Sequence, residues 1–473
     1  MSDPSGPAVE AAPDRPDAGA ASGPGPGLFS REFGAATATF AAVMFLTGFA
    51  ALAVVPTLPT AARDLDGVSL FPLVAGCFVS ASLLGGVLGG HWADRAGAGR
   101  PLAAGMVLTV VTLLVSATST TIWQLAAGRF LDGLAAGMVA VCINTAIGQT
   151  YPDRLRPRAL ALMSTSWIIP SLTGPPLAGL VTGWWSWRAV FFGLAALTLI
   201  PSLALVLVLR GRGGPGAAAP DGEQPPRPAL LIATTVSLAA ALGQYGVSGW
   251  DPRHLLFAAV GLGLLVLFAP RLLPVGTWRA ARGLPTTVLL RGFGSGVFFT
   301  VEAFVPLMLI TERQVSAVVI GVVFTGAAVV WAGASWVQGR LLESWPRHRL
   351  VVVGALVMAV AVALAVLGTL PGSPVLTAAA GMLLAAVGMG LLDPSLTVLS
   401  LAHSPAGRQG YASAAMQTNQ NLGQIAILGL AAAVLNTCLG LGASELTGYA
   451  AAFGLLLVPT LLAALLAGRA RST

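Results

Sequence analysis

Within a long apolar run, the segment GRFLDGLAAG (128–137) carries an arginine and an aspartate three residues apart. Between Arg100 and Asp153, Arg129 and Asp132 are the only charged side chains. A charge near the middle of a membrane span costs about 2.5–3.5 kcal/mol on insertion scales, so it needs a partner or a wet cavity. At a spacing of three on a helix the two side chains share a face and can reach each other. One reading is a self-neutralising pair that fixes helix packing. The other is a proton or substrate site, in which protonation of Asp132 frees Arg129 to engage an anion or a dipole. Glu302, in FFTVEAFVPL, is a third such residue, with no basic neighbour in sequence. It reads either as a group that loads and releases a proton or as a hydrogen-bonded structural carboxyl. Arg291 precedes it by eleven residues and Asp393 lies in GMGLLDPSL. Their expected depths match, and an Arg291–Asp393 pair is expected as a structural lock.

These residues must be positioned by membrane helices. Hydrophobic residues make up 56% of the chain and charged residues 9%, and the mean hydropathy is +0.83. A soluble domain is about a quarter charged, which excludes that class. A span needs about 20 apolar residues. Runs of that kind begin near Ala35, Leu70, Pro101, Thr121, Leu160, Ala189, Ala229, Leu255, Pro285, Val315, Val351, Pro374, Tyr411 and Leu446, which predicts about fourteen helices. The expected fold class is an all-α polytopic membrane protein.

Every basic residue is an arginine. With both termini cytoplasmic, only Arg63, Arg188, Arg253 and Arg313 fall outside, and only Arg129 and Arg291 within spans; the remainder, including Arg154, Arg156 and Arg158, fall inside. That is the asymmetry of the positive-inside rule. Because the arginines lie between spans rather than on one face, the net charge of +7 does not point to nucleic acid. Cys77, Cys142 and Cys438 show no ligand or disulfide spacing, and no cofactor or metal is expected. His91, His254, His348 and His403 fall at helix ends or loops, which argues against intramembrane hydrolysis, and no phosphate-binding loop is present.

A repeat organises the helices. GHWADRAGAGRPLAAG (90–105) aligns with GRLLESWPRHRLVVVG (339–354), so that Gly90, Asp94, Arg100 and Gly105 recur 249 residues later as Gly339, Glu343, Arg349 and Gly354. Repeated halves are a common basis of alternating access in transporters. The expected organisation is a disordered cytoplasmic tail (1–30), a six-helix bundle (31–210), a cytoplasmic linker (211–228), two inserted helices (229–272), a second six-helix bundle (273–468) and a short tail (469–473).

GHWADRAGAGRPL resembles the loop 2–3 signature of the major facilitator superfamily, carried here by Gly90, Asp94, Arg95, Gly97 and Arg100. RFLDGLAAG resembles its helix-4 signature, and PSLTGPPLAG (170–179) the helix-5 signature of its antiporters, carried by Pro170, Gly174, Pro175 and Gly179. The similarity points to the fourteen-helix drug:proton antiporter group. Two positions depart from it: Asp132 replaces a glutamine, and Ala50 stands where an aspartate is common. The resemblance implies that the loop 2–3 motif latches the two halves, and Asp94 could face the N-terminus of the thirteenth helix near Arg408. It also implies a cavity-lining role for Arg129. Independently of it, Pro170, Pro175 and Pro176 predict a bent segment, and its small residues predict close packing. In the thirteenth helix Gln417, Asn421 and Gln424 form one polar face, with Asn419 off it; they suit either interhelical bonds or a cavity wall. Trp123, Trp167 and Trp250 read as interfacial anchors.

The expectation is a monomeric transporter of the cell membrane, exporting small amphipathic compounds against protons. A facilitator or importer of a specific metabolite, and a non-transport membrane sensor, are the alternatives.

Overall fold

The computed structural model describes residues 27–152, 155, 158–159, 162–163, 166, 168–211, 228–404 and 409–471. Most of the expected N-terminal tail and of the linker, with Arg154, Arg156, Trp167 and Arg408, lie outside the described residues.

Fourteen helices and no strand occur among the described residues. They are α1 (Gly34–Asp64), α2 (Phe71–Ala96), α3 (Gly99–Ala117), α4 (Ile122–Thr150), α5 (Ile168–Trp184), α6 (Trp187–Gly211), α7 (Pro228–Gly246), α8 (Pro252–Phe268), α9 (Leu284–Thr311), α10 (Ala317–Arg340), α11 (Arg347–Leu367), α12 (Val375–Ala402), α13 (Gln409–Gly440) and α14 (Glu445–Ala470). A 3-10 turn at Val55–Thr57 interrupts α1, beside Pro56 and Pro59. Among the described residues, eleven helices are long and apolar enough to cross a bilayer, and α6 and α7 carry shorter apolar stretches. The described part of α5 opens at Ile168, with Pro170 in its first described turn; Leu160, where the run is expected to begin, lies outside the described residues. Pro175 and Pro176 are interior prolines of α5.

The packing repeats with an offset of eight helices. In the first half α2 packs on α4, α3 on α4 and α6, and α1 on α5 and α6. In the second half α10 packs on α12, α11 on α12 and α14, and α9 on α13 and α14. The repeated glycines occupy equivalent contacts. A Cβ at Gly105 would meet Val139 of α4, and one at Gly354 would meet the Gly388 carbonyl of α12; Val139 and Gly388 are again 249 positions apart. The two halves meet along two seams, α5 against α10 and α2 against α13, and the inserted α7–α8 pair packs on α2 and α13.

α2 and α4 approach most closely. A Cβ at Gly85 would fall on the Leu134 carbonyl, one at Gly133 on that of Phe78, and one at Gly137 on that of Ser82. Lipid supplies no hydrophobic force to drive helices together, so such small-residue stripes supply contact through van der Waals fit. Gly137→Leu must push the two backbones apart. We expect it to destabilise the protein by about 3 kcal/mol or more, measured as a loss of monodisperse folded protein and a lowered unfolding temperature in detergent.

Candidate functional site

A cavity of about 620 Å³ lies between the two halves. α1, α2, α4 and α5 line it from one side and α9, α10 and α13 from the other. Its wall is largely apolar and aromatic, with Phe71, Phe78, Phe298, Phe299, Phe324 and Trp331. Phe298 packs edge-on against Phe299 and Trp331, with ring centroids 5.2 and 4.8 Å away. The polar side chains on the wall are Arg129, Ser171, Glu302 and Gln424.

Arg129 donates from Nη1 to Asp132 Oδ2 at 2.6 Å, and the two residues are 3% and 7% exposed. The guanidinium carbon lies 4.3 Å from the Phe78 ring centre, a cation–π contact. The Thr112 hydroxyl of α3, which donates to the Thr109 carbonyl at 3.0 Å, lies beside Asp132. Arg129 reaches the cavity wall, whereas Asp132 lies behind it. The buried Nε of Arg129 has no hydrogen-bond partner.

Glu302 is half-buried on the opposite wall, in α9. It makes no hydrogen bond or ion pair to another described residue. Arg291, on the same helix, is in an ion pair with Asp393 of α12 and donates from Nε to Gln420 Oε1 of α13 at 2.9 Å. That group ties three helices of the second half together away from the cavity wall. The pairing decides which acid is left over: Arg291 is satisfied elsewhere, and Glu302 faces the open volume.

The loop 2–3 motif is compact. Gly97 caps α2 at φ +76°, a conformation that excludes most side chains. The Ala98 amide donates to Gln149 Oε1 near the end of α4 at 3.3 Å. Arg95 and Arg100 are exposed, and a Cβ at Gly90 would make only ordinary contact with Val141. The Asp94 side chain and residues 405–408 lie outside the described structure, and with them the expected latch.

The helix-5 motif joins the halves. A Cβ at Gly179 would lie 2.7 Å from the Ala317 carbonyl and 3.1 Å from the Gly321 Cα of α10, and one at Gly321 would lie 2.7 Å from the Pro175 carbonyl. Gly174 instead faces Leu52 and Ala53 of α1 at ordinary distance. Close by, Arg63 at the end of α1 donates to the Ile310 carbonyl at the end of α9, at 3.4 Å. Both crossings lie toward the predicted outer face.

The polar face of α13 divides. Gln424 is on the cavity wall. Gln417 donates to Asn421 at 3.2 Å, and neither lines the cavity. Asn419 donates to the Val288 carbonyl at 2.6 Å, locking α13 to α9. Trp123 and Trp250 are about half exposed. Sequence reasoning missed the aromatic wall and Ser171, because a ring facing a cavity and a ring facing lipid occupy equally apolar surroundings in the sequence.

Residues 40–428 match the profile of the Major Facilitator Superfamily. A Mycobacterium tuberculosis protein named as a probable multidrug-efflux transporter is 29% identical over 431 residues, covering 86% of this chain and 87% of the relative. Multidrug resistance protein 1 of Bacillus subtilis is 28% identical over 159 residues, 33% of this chain and 40% of its own. Among solved structures, a POT family transporter in complex with 5-aminolevulinic acid superposes with a TM-score of 0.69 at 14% identity, over 93% of this chain and 98% of that one. A D-xylose–proton symporter superposes with a TM-score of 0.60 at 16% identity, over 91% and 97%.

Asp132→Asn leaves the Arg129 charge buried with its counter-ion removed. We expect a loss of about 3–5 kcal/mol, read as a lowered unfolding temperature of the purified protein. The double change Arg129→Leu with Asp132→Leu should restore much of it, because no isolated charge then remains.

Proposed function

The chain belongs to the Major Facilitator Superfamily, and on that premise we propose that it is a proton-coupled exporter of small amphipathic organic compounds, cations foremost. The observation that carries this reading is the unpaired Glu302 on an aromatic cavity wall between the two halves. A carboxylate in low dielectric attracts a cation far more strongly than it does in water. Aromatic faces add cation–π attraction and accept flat apolar groups without demanding one shape. Such a cavity selects charge and amphipathicity rather than a hydrogen-bond pattern.

Proton and cargo compete in this scheme. Ionised Glu302 holds the cation; a proton reaching Glu302 cancels the attraction and the cargo leaves. Asp132 acts from the opposite wall. While it is ionised it neutralises Arg129; once protonated, it leaves Arg129 as an uncompensated positive charge on the cavity wall, which repels a cation. The arginine asymmetry supports cytoplasmic termini. With that orientation the contacts of Gly179 with Gly321 and of Arg63 with Ile310 lie on the outer side. The cavity is then loaded from the cytoplasm, as export requires. The Mycobacterium relative named for multidrug efflux supports the same direction. The protein acts as a monomer, since one chain supplies both halves of the cavity.

Uptake of a fluorescent lipophilic cation into inverted membrane vesicles, with and without an imposed proton gradient, tests the reading. Wild type should accumulate the cation only with the gradient. Glu302→Gln should lower gradient-driven uptake at least about tenfold. Undiminished gradient-driven uptake in both Glu302→Gln and Asp132→Asn would overturn it, and gradient-driven uptake into whole cells would favour an importer.

A further inference from the structure

The two seams between the halves are closed by different means. Along α5–α10 the helices touch directly through Gly179 and Gly321. Along α2–α13 a side chain from the inserted pair stands between them. Gln244 of α7 is 1% exposed and donates from Nε2 to the Ile425 carbonyl of α13 at 2.8 Å. Both flanking helices make room for it with a glycine. A Cβ at Gly76 of α2 would lie 2.9 Å from Gln244 Cδ, and one at Gly429 of α13 would lie 3.4 Å from Nε2. Gly76 and Ile425 both line the central cavity. Gln244 therefore stands directly behind the cavity wall, between a residue of the first half and one of the second.

We propose that Gln244 is a positioning residue of the transport cavity: it plugs the α2–α13 seam and pins the cavity-lining stretch of α13 that carries Gln424 and Ile425. The proposal rests on the reading of this cavity as the transport site.

α7 is anchored to do this. Ser237, two turns before Gln244 and on the same face, donates to the Ser80 carbonyl of α2 at 2.6 Å, with both serines fully buried. The Tyr245 ring packs on Trp123 of α4, with centroids 5.4 Å apart. These contacts bind α7 to the first half. To the second half it is joined by the Gln244 bond and by Asn436 of α13, which donates to the Val247 carbonyl at 2.7 Å. When the halves separate on the outer side, α7 stays with α2 and the Gln244–Ile425 bond must break. The bond thus belongs to the outer-closed state and is remade in every cycle. Gln244 Oε1 is buried without a partner, a state that pure packing does not favour; a leucine would fill the same gap without a polar atom to satisfy.

The test uses the full chain in lipid nanodiscs and proteoliposomes, comparing wild type with Gln244→Leu and Gln244→Ala. Leucine keeps the plug and removes the pin; alanine removes both. Loss of one buried hydrogen bond should speed hydrogen exchange of peptides covering 422–430 about fivefold in both variants. Peptides from α11 and α12 should be unchanged. Apparent KM for the lipophilic cation should rise by a similar factor of about five in both, with a smaller change in maximal rate. Passive leak of the dye should rise in Gln244→Ala alone. Folded variants with wild-type exchange over 422–430 and wild-type KM would overturn the proposal. Should Gln244→Ala fail to fold, Gln244→Leu alone decides through exchange and KM. If wild type carries no cation, the reading of the cavity fails, while the exchange comparison still tests the pin by itself.

Discussion

Hydrocarbon offers a charged side chain no water, and the structure follows from how each intramembrane charge meets that constraint. Arg129 is neutralised one turn along its own helix by Asp132. Arg291 is neutralised across helices by Asp393 and braced by Gln420. Each pair spends its charge on internal compensation and holds neighbouring helices in register. Glu302 is the exception. It faces a volume large enough to hold a small organic molecule, and that position makes it the group whose charge is available to something other than protein.

Glycine packing makes such a cavity possible. Where α2 meets α4 and α5 meets α10, glycines let backbones touch, so the walls are rigid at the crossings and the free volume collects in the middle. The two seams between the halves differ in kind. One is backbone against backbone; the other is spaced by the Gln244 side chain. Parting the second seam breaks the Gln244–Ile425 and Asn436–Val247 hydrogen bonds. The inserted helices therefore give an otherwise two-fold-related molecule a preferred side.

The POT family transporter and the D-xylose–proton symporter that share this fold do so at 14–16% identity, so the architecture alone says nothing of cargo. Chemistry resides in the wall, which here is aromatic with one uncompensated carboxyl. Recognition of that kind tolerates varied shapes because stacking and charge attraction are weakly directional, unlike the fixed hydrogen bonds of a metabolite site.

The number of helices, the repeat and the three intramembrane acids were legible in the sequence, because apolar run length and the cost of a buried charge act locally along the chain. So was the Arg129–Asp132 pair, whose spacing brings both residues onto one helix face. Arg291 with Asp393 could be suggested from matched depth, but only packing brought α9 and α12 together and thereby left Glu302 without a cation. Which of Gln417, Asn421 and Gln424 faces the cavity was likewise undecided, since helical periodicity assigns a face without saying what lies opposite. Gln244 gave no signal at all: an isolated glutamine in an apolar helix acquires meaning only when two glycines, 353 positions apart along the chain, are folded to either side of it.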